Sequence, residues 1–274
     1  MPVLGLGTWR MGESRGARER EIDAVVSALR MGYRLIDTAE MYGEGGAEKV
    51  VGSAIARALG AGELRREELF IVSKVYPHNA GKRSLPQACA RSLERLGLDR
   101  IDLYLLHWRG DVPLRETVEA LRALVREGRI ARWGVSNFDV DDLADLDAAC
   151  GPDRDCAVNQ VWYSLGERGP EHALMRAMAA RGMPLMAYSP IDQGRRGDDA
   201  LLGALGAPRG LTAAQVALAW VLSRPGVVAI PKAVQAVHLS ANLAAVDVVL
   251  EPEVRARLDD AYPPPRGPAT LAMN

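Results

Sequence analysis

The chain alternates short apolar runs, typical of buried strands, with longer stretches whose apolar residues recur at helical spacing. Eight runs have strand character: VLGLGTW at 3–9, RLIDTA at 34–39, LFIVSKV at 69–75, IDLYLLH at 101–107, IARWGVSN at 130–137, CAVNQVWY at 156–163, PLMAYSP at 184–190 and VVAIPK at 227–232. Strands of this kind are buried on both faces, as in a parallel sheet.

Two of the intervening segments, 18–31 and 114–127, predict amphipathic helices most clearly. Gly97 and Gly128 each follow a helical run, where glycine suits the left-handed residue that ends a helix. In the second segment one stripe at helical spacing is formed by Leu114, Val118, Leu121 and Val125.

Eight strand–helix units over 274 residues predict a (β/α)8 barrel, with residues 1–274 as a single domain. A doubly wound sheet is the alternative, but the first strand–helix turn has no GxGxxG fingerprint. No linker or low-complexity segment divides the chain. The proline-rich tail at 263–274 is predicted to be irregular and to lie over the surface.

Composition narrows the function classes. The formal net charge of −1 gives no basic face for nucleic acid or an anionic membrane. No apolar run is long enough to span a membrane, and the N-terminus lacks the apolar core of a signal peptide. The three cysteines form no CxxC pair, which favours reduced thiols in a cytoplasmic protein.

Polar side chains close several of the eight runs, and in such a barrel the active site forms at these carboxyl ends. Asp37 ends the second run, with Tyr42 in the loop that follows, and Lys74 and His107 close the third and fourth runs. The later runs contribute amides, hydroxyls and a second amine: Ser136, Asn137, Asn159, Gln160, Tyr188, Ser189 and Lys232.

Each of these residues has an ordinary explanation when it is taken alone. An aspartate after a strand is usually a cap or turn former, a lone histidine is usually a packed or surface residue, and a lysine usually extends to water. These ordinary explanations are less convincing for the residues together, because burying a lysine and an aspartate costs free energy unless the two charges pair. We therefore predict an ion pair between Asp37 and Lys74, on adjacent strands.

The four residues make chemical sense as a proton donor. A free tyrosine has a pKa of about 10, and the Lys74 cation is expected to lower the pKa of Tyr42 towards the operating pH. Asp37 would hold that cation in place, and His107 would donate a hydrogen bond to the same substrate oxygen. An oxygen between Tyr42 and His107 fits a carbonyl that becomes an alkoxide. That reaction needs a hydride, which implies a nicotinamide cofactor.

The ordered motifs GLGTW (5–9), LIDTAEMYG (35–43), VSKV (72–75), DLYLLHW (102–108), GVSNF (134–138), NQVWY (159–163), AYSP (187–190) and IPKA (230–233) resemble the aldo-keto reductase family. The stretches EMYGEGGAEKVVG, VYPHNAG and LLHWRG resemble the bacterial branch that reduces methylglyoxal and similar small aldehydes. The resemblance implies a catalytic tetrad of Asp37, Tyr42, Lys74 and His107, with Tyr42 as general acid. It also implies NADPH bound across the barrel rim.

The resemblance further implies the cofactor contacts. Ser136, Asn137 and Gln160 should bond the nicotinamide carboxamide, Tyr188 should stack under the ring, and Lys232 should meet the 2′-phosphate. The remaining contacts are expected along the pyrophosphate and the adenosine half, from Ser189, Pro190, Ile191, Gln193, Gly194, Ile230, Ala233, His238 and Asn242.

The substrate pocket is expected to be small and permissive, because the loops at 108–113 and 191–210 are short to moderate in length. Four residues that follow or end rim strands are candidates for its walls, with ordinary packing as an equal alternative: Trp9, Met11, Tyr76 and Trp108.

Three departures from the family pattern carry expectations of their own. Ala233 and His238 stand where many relatives have serine and arginine, and Ala241 replaces the usual glutamate. A 2′-phosphate would lose two donors, so NADPH should be preferred over NADH by a smaller margin. The chain also starts close to GLGTW, so the usual N-terminal hairpin should be truncated or absent.

Three other functions remain as alternatives. A Schiff-base lyase would use Lys74 as nucleophile, although the neighbouring Asp37 keeps the amine protonated. A metal-dependent barrel is disfavoured, because the four histidines show no HxH or HExxH spacing. A nicotinamide-binding sensor or regulatory subunit on the same fold is the non-enzymatic alternative. The expected partner is a small carbonyl substrate, and the expected state is a monomer or weak homo-oligomer.

Overall fold

The structure is a computed structural model that describes residues 1–268 and 270–273. Eight parallel strands form one sheet in sequence order, and isolated bridges from Leu4 to Ala229 and from Gly7 to Lys232 bring the last strand beside the first. The (β/α)8 barrel predicted from the sequence is thereby confirmed. The strands are β1 Gly5–Gly7, β2 Leu35–Asp37, β3 Phe70–Val75, β4 Ile101–Leu106, β5 Ile130–Ser136, β6 Asn159–Trp162, β7 Leu185–Tyr188 and β8 Val227–Ala229.

Helices follow every strand and pack around the barrel. One helix follows each of the first six strands, and two follow each of the last two. They are α1 Arg18–Met31, α2 Gly46–Gly60, α3 Ser84–Leu96, α4 Leu114–Arg126, α5 Val140–Cys150, α6 Leu174–Ala179, α7 Ala200–Gly206, α8 Ala213–Leu222, α9 Ala236–Ala244 and α10 Pro252–Ala261. The predicted helix at 18–31 has the observed bounds, and the one predicted at 114–127 ends one residue earlier.

Alternation along the strands places the active-site candidates at the barrel mouth. Successive strand residues point to opposite faces, and one apolar cluster fills the barrel interior: Leu35, Val72, Leu103, Leu105, Val158, Met186, Val228 and Ile230. Three of these interior residues are each followed, two positions later, by an active-site candidate. The pairs are Leu35 and Asp37, Val72 and Lys74, and Leu105 and His107. The same periodicity that fills the interior therefore aims these three side chains inward at the carboxyl ends.

A second and larger core lies between the sheet and the helices. Helix α4 contributes Leu114, Val118, Leu121 and Leu124 to this core, whereas Val125 is 36% exposed. The predicted stripe was therefore wrong at its last position. Leu124 is buried in place of Val125, because the buried face of the helix is centred on Leu121 and Leu124.

The two ends of the chain are simple. Among the described residues, the four that precede β1 form no hairpin. Within 263–268 and 270–273 the tail has no helix or strand, Leu271 packs against the core, and Met273 borders the central cavity. Predictions for Ala269 and Asn274 lie outside the described residues. In the part of the chain that the structure covers, no helix has both the length and the apolarity needed to cross a bilayer.

Candidate active site

Lys74 is the buried centre of the site. Its ammonium Nζ donates to Asp37 Oδ2 at 2.7 Å, to the Thr38 carbonyl at 2.9 Å and to the Tyr42 hydroxyl at 3.1 Å. The side chain has no exposed surface. An ammonium has three protons to donate, so these three acceptors account for all of them. This geometry holds Lys74 as a cation and keeps it out of reach of a substrate.

The loop after β2 brings Tyr42 back over this pair. Asp37 ends β2, while Tyr42 lies in a tight turn where Gly43 and Gly45 have φ of +57° and +83°. Glycine adopts this left-handed backbone without steric cost. The Tyr42 carbonyl then accepts the amide hydrogen of Ala47 in the first turn of α2, which fixes the tyrosine at the helix start.

His107 follows β4 and faces the same space. Its ring lies edge-on to the Tyr42 ring with centroids 5.7 Å apart, and it lies 5.0 Å from the Trp108 ring. Its Nδ1 is buried without a hydrogen-bond partner among the described residues. Burial and the nearby Lys74 charge hold the pKa of His107 well below its usual range. His107 is therefore neutral at pH 7 and keeps a single ring N–H to donate.

Tyr42 is buried to 9% exposure, and burial raises its pKa. The Lys74 charge lowers that pKa, as the sequence predicted, but does not outweigh burial, which disfavours the phenolate. The predicted net decrease in the pKa was therefore wrong. Tyr42 consequently keeps its proton at neutral pH, which is the form that a proton donor needs.

Asp37 and Lys74 stabilise each other's charges inside the barrel. Burial lowers the pKa of Lys74, but Asp37 and Tyr42 raise it further, so that it lies above its usual value. Burial raises the pKa of Asp37 against the Lys74 charge. Gln160 Nε2 also donates to Asp37 Oδ1 at 2.8 Å. The carboxylate thus has one oxygen on Lys74 and the other on Gln160, and both satisfy its buried charge.

A cavity of about 1020 Å³ opens above these residues. Asp37, Tyr42 and His107 line it, whereas Lys74 lies behind them. The residues that the sequence predicted to contact a cofactor all lie on its wall: Ser136, Asn137, Gln160, Tyr188, Ser189, Pro190, Ile191, Gln193, Gly194, Ile230, Lys232, Ala233, His238 and Asn242.

A network of hydrogen bonds orders the polar groups near His107. The Ser136 hydroxyl donates to the Gln160 carbonyl at 2.8 Å, and Asn137 Nδ2 donates to the His107 carbonyl at 3.1 Å. The Tyr188 hydroxyl donates to Asn137 Oδ1 at 2.9 Å. Asn137 has φ of +59°, a left-handed conformation that asparagine tolerates better than most residues. These contacts between protein groups therefore fix this part of the cavity wall.

The part of the cavity formed by β8 and α9 has a different character. Lys232 and His238 are exposed on its wall, and Asn242 is buried to 4% exposure. Ala233 lies beside Lys232 and has no polar side chain to offer. Lys232 is thus the cationic side chain that β8 and its loop present to the cavity.

Two of the four proposed substrate-wall residues line the cavity, Trp9 and Trp108. Met11 is fully buried in the outer core, because its amide donates to the Thr8 carbonyl and turns the chain inward. Tyr76 also lies off the cavity wall, since its ring stacks on His78 and its hydroxyl donates to Glu44 at 2.9 Å. For Met11 and Tyr76 the structure therefore favours the alternative of ordinary packing.

The structure adds wall residues that sequence reasoning missed. Met41 lines the cavity directly before Tyr42, and Met273 reaches it from the tail. Arg10 also lines it, with its guanidinium 4.4 Å from the centre of the Trp9 ring. Met41 is next to Tyr42 in the sequence and Arg10 is next to Trp9, so proximity to a predicted site residue was the available signal. The sequence offered no such signal for Met273.

Residues 3–263 match the sequence model described as Aldo/keto reductase family. Methylglyoxal reductase YeaE of Escherichia coli (strain K12) is 46% identical over 278 residues, which span 100% of this chain and 95% of that protein. Glyoxal reductase of Bacillus subtilis (strain 168) is 36% identical over 261 residues, spanning 94% of this chain and 88% of that protein.

Solved structures agree with the sequence relatives. An aldo/keto reductase from Klebsiella pneumoniae, crystallised with NADP and acetate, superimposes with a TM-score of 0.93 at 46% identity, covering 100% of this chain and 96% of that one. An aldo-keto reductase from the same organism in complex with NADPH has the same TM-score at 47% identity, covering 100% and 95%. The extent of the match, the barrel and the buried lysine–aspartate–tyrosine cluster show that this chain belongs to the aldo/keto reductase family.

Proposed function

We propose that this protein is an NADPH-dependent reductase of small aldehydes and ketones such as methylglyoxal. One observation carries the proposal: the Tyr42 hydroxyl, 3.1 Å from the Lys74 ammonium, faces a large cavity beside a neutral His107. The named relatives support it, since two of them are a methylglyoxal reductase and a glyoxal reductase.

The cavity suits a nicotinamide dinucleotide. Its volume of about 1020 Å³ is at the upper end for small-molecule and cofactor sites. Ordered amide and hydroxyl groups of Ser136, Asn137 and Gln160 would bond a carboxamide, and the Tyr188 ring would cover the face of the nicotinamide. Lys232 would bind a phosphate on the adenosine half. When bound, the dinucleotide supplies the hydride that no amino-acid side chain can provide.

The protein's own residues then handle the substrate oxygen and its proton. Tyr42 and the neutral His107 donate hydrogen bonds to the carbonyl oxygen, which orients it and stabilises the negative charge that develops there. Tyr42 transfers its proton to that oxygen as it becomes an alkoxide. Lys74 stabilises the resulting phenolate, and Asp37 keeps Lys74 charged.

The cavity wall includes apolar and aromatic surface. It is contributed by Trp9, Met41 and Trp108, with the Arg10 guanidinium stacked on Trp9. A small carbonyl compound is therefore the expected partner.

NADPH oxidation with a panel of aldehydes and ketones, repeated with NADH, tests the proposal. The expected result is turnover of methylglyoxal and related compounds with a preference for NADPH. If NADPH binds and no carbonyl compound supports its oxidation, the nicotinamide-binding sensor or regulatory subunit becomes the better hypothesis. Borohydride treatment with substrate should leave Lys74 unmodified, since all three of its protons are donated to protein acceptors; a trapped adduct would favour the lyase.

The proposal includes a cytoplasmic location and a monomer or weak homo-oligomer. The three cysteines support the location, because all are buried and unpaired. Cell fractionation and light scattering of the purified protein are the corresponding measurements.

A further inference from the structure

A buried carboxylate lies on the outer side of the barrel wall, behind Lys74. Glu48 in α2 has no exposed surface. Its Oε1 accepts the Ser73 hydroxyl at 2.6 Å, and its Oε2 accepts Arg95 Nε at 2.5 Å. Ser73 directly precedes Lys74 in β3 and points away from the barrel interior, whereas Arg95 comes from α3. Glu48 therefore joins three elements, one of which carries Lys74.

Arg95 also packs against the turn that carries Tyr42. A Cβ atom at Gly45 would lie 2.6 Å from the Cδ and Nε atoms of Arg95, so the guanidinium stem lies flat on this glycine. The side chain of Arg95 is only 16% exposed, and its Nη2 donates to the Ser92 hydroxyl at 3.3 Å. Arg95 thus contacts the turn between Tyr42 and α2 directly.

A second buried carboxylate holds the other side of the same loop. Glu40 Oε1 accepts the Tyr76 amide at 2.8 Å and Asn79 Nδ2 at 3.0 Å, while the Glu40 amide donates to the Lys74 carbonyl at 3.2 Å. Its Oε2 lies 4.0 Å from Arg95 Nη2. The loop of Tyr42 is thereby fastened to the segment of Lys74 at both ends, and Arg95 lies near both carboxylates.

We propose that Arg95 and Glu48 are positioning residues that set the Tyr42 hydroxyl against the Lys74 ammonium. The inference rests on the proposed function, in which that contact is the proton donor. Neither residue touches the cavity. Loss of Arg95 leaves the Glu48 charge buried without its cation, which is strongly unfavourable. Helix α2 must then shift to relieve the unpaired charge, and that shift loosens the turn that holds Tyr42.

Arg95→Met is the principal test. Because a misplacement of about 1 Å can reduce a rate by about 100-fold, kcat for the preferred carbonyl should fall by roughly that factor. The dissociation constant of NADPH should stay at the wild-type value. Arg95→Lys restores the cation and should recover most of the lost kcat.

Arg181→Met is the matched control. Arg181 has the same 16% side-chain exposure and pairs with Asp147 at 2.7 Å, and neither residue lines the cavity. Arg181→Met should leave kcat unchanged, and it should lower the melting temperature less than Arg95→Met, because Asp147 is 27% exposed whereas Glu48 is fully buried. Equal kcat values for Arg95→Met and Arg181→Met would overturn the inference.

Two further measurements test the proposal if Arg95→Met folds poorly or if the wild type is inactive. Ser73→Ala removes the strand-side hydrogen bond and little else, so it should fold and lower kcat with NADPH binding intact; unchanged kcat contradicts the proposal. Crystal structures of either variant should show the Lys74 Nζ to Tyr42 Oη distance beyond 3.5 Å. A distance that stays at 3.1 Å overturns the positioning role whether or not the wild type reduces carbonyls, so this failure is distinct from failure of the proposed function.

Discussion

The Tyr42 hydroxyl, which faces the cavity, accepts a hydrogen bond of 3.1 Å from Lys74, whose side chain has no exposed surface. Burial keeps the phenol protonated, and the Lys74 ammonium stabilises the phenolate once the proton has left. The phenolate is then formed beside a fixed cation, which needs no solvent reorganisation. The Lys74 charge therefore offsets part of the cost that burial imposes on the phenolate.

Tyr42→Phe removes the hydroxyl and keeps the ring. General acids typically contribute about 10² to 10⁴ in rate, so kcat for carbonyl reduction should fall by about a thousandfold. NADPH binding, followed by quenching of protein fluorescence, should be unchanged because no predicted cofactor contact is lost. Turnover near the wild-type rate would remove Tyr42 from its proposed role.

Asp37→Asn should destabilise the fold as well as slow the reaction. Lys74 would lose the anion at 2.7 Å and remain buried. Breaking a buried pair on one side costs about 3–5 kcal/mol, so the urea midpoint should fall sharply. Glu63→Gln is the control, because it breaks the exposed pair with Arg30 at 2.7 Å. Such surface pairs contribute about 0–1 kcal/mol. Similar losses in both variants would contradict the buried-pair argument.

Much of the site could be predicted because it follows from strand periodicity. Asp37, Lys74 and His107 lie two residues beyond interior apolar positions, so a pattern of alternation places them at the mouth. The pairing of Asp37 with Lys74 followed from the cost of burying either charge alone.

The residues whose role sequence reasoning left open depend on irregular backbone. Met11 turns into the core because of a Thr8 to Met11 hydrogen bond, and no periodicity encodes that turn. Tyr76 is drawn off the cavity by Glu40 at its amide and Glu44 at its hydroxyl. The pKa of Tyr42 was misjudged because the sequence shows a neighbouring charge but not the degree of burial.

His107 should make the fold sensitive to mild acid. Its folded pKa lies well below the ordinary value of about 6.5. As the pH falls below about 6.5, the histidine of the unfolded chain binds a proton that the folded protein does not bind. The free energy of unfolding therefore decreases with falling pH until the folded pKa of His107 is reached. One such proton changes the free energy of unfolding by about 1.4 kcal/mol per pH unit.

The variant His107→Gln should therefore lose less stability than the wild type between pH 6.5 and pH 5, as measured by urea unfolding. His78→Gln is the control for the loss of a histidine at an exposed position. Parallel curves for the wild type and His107→Gln would show that His107 titrates normally in the fold.

The choice between NADPH and NADH should depend on Lys232 and on the unusual residues Ala233 and His238. Hydrogen bonds to charged groups contribute about 1.5–3 kcal/mol, so Lys232→Ala should weaken NADPH binding by about tenfold or more and leave NADH almost unchanged. Lys49→Ala, an exposed lysine on α2, is the control for overall charge. Equal losses for both dinucleotides would count against a 2′-phosphate contact.

The double variant Ala233→Ser with His238→Arg should act in the opposite direction. Both positions line the cavity beside Lys232, and the new hydroxyl and guanidinium would add donors for a phosphate. The ratio of kcat/KM for NADPH to that for NADH should therefore rise above the wild-type ratio, chiefly through the KM for NADPH. An unchanged ratio would mean that the 2′-phosphate lies out of reach of residues 233 and 238, and that Lys232 alone accounts for the preference.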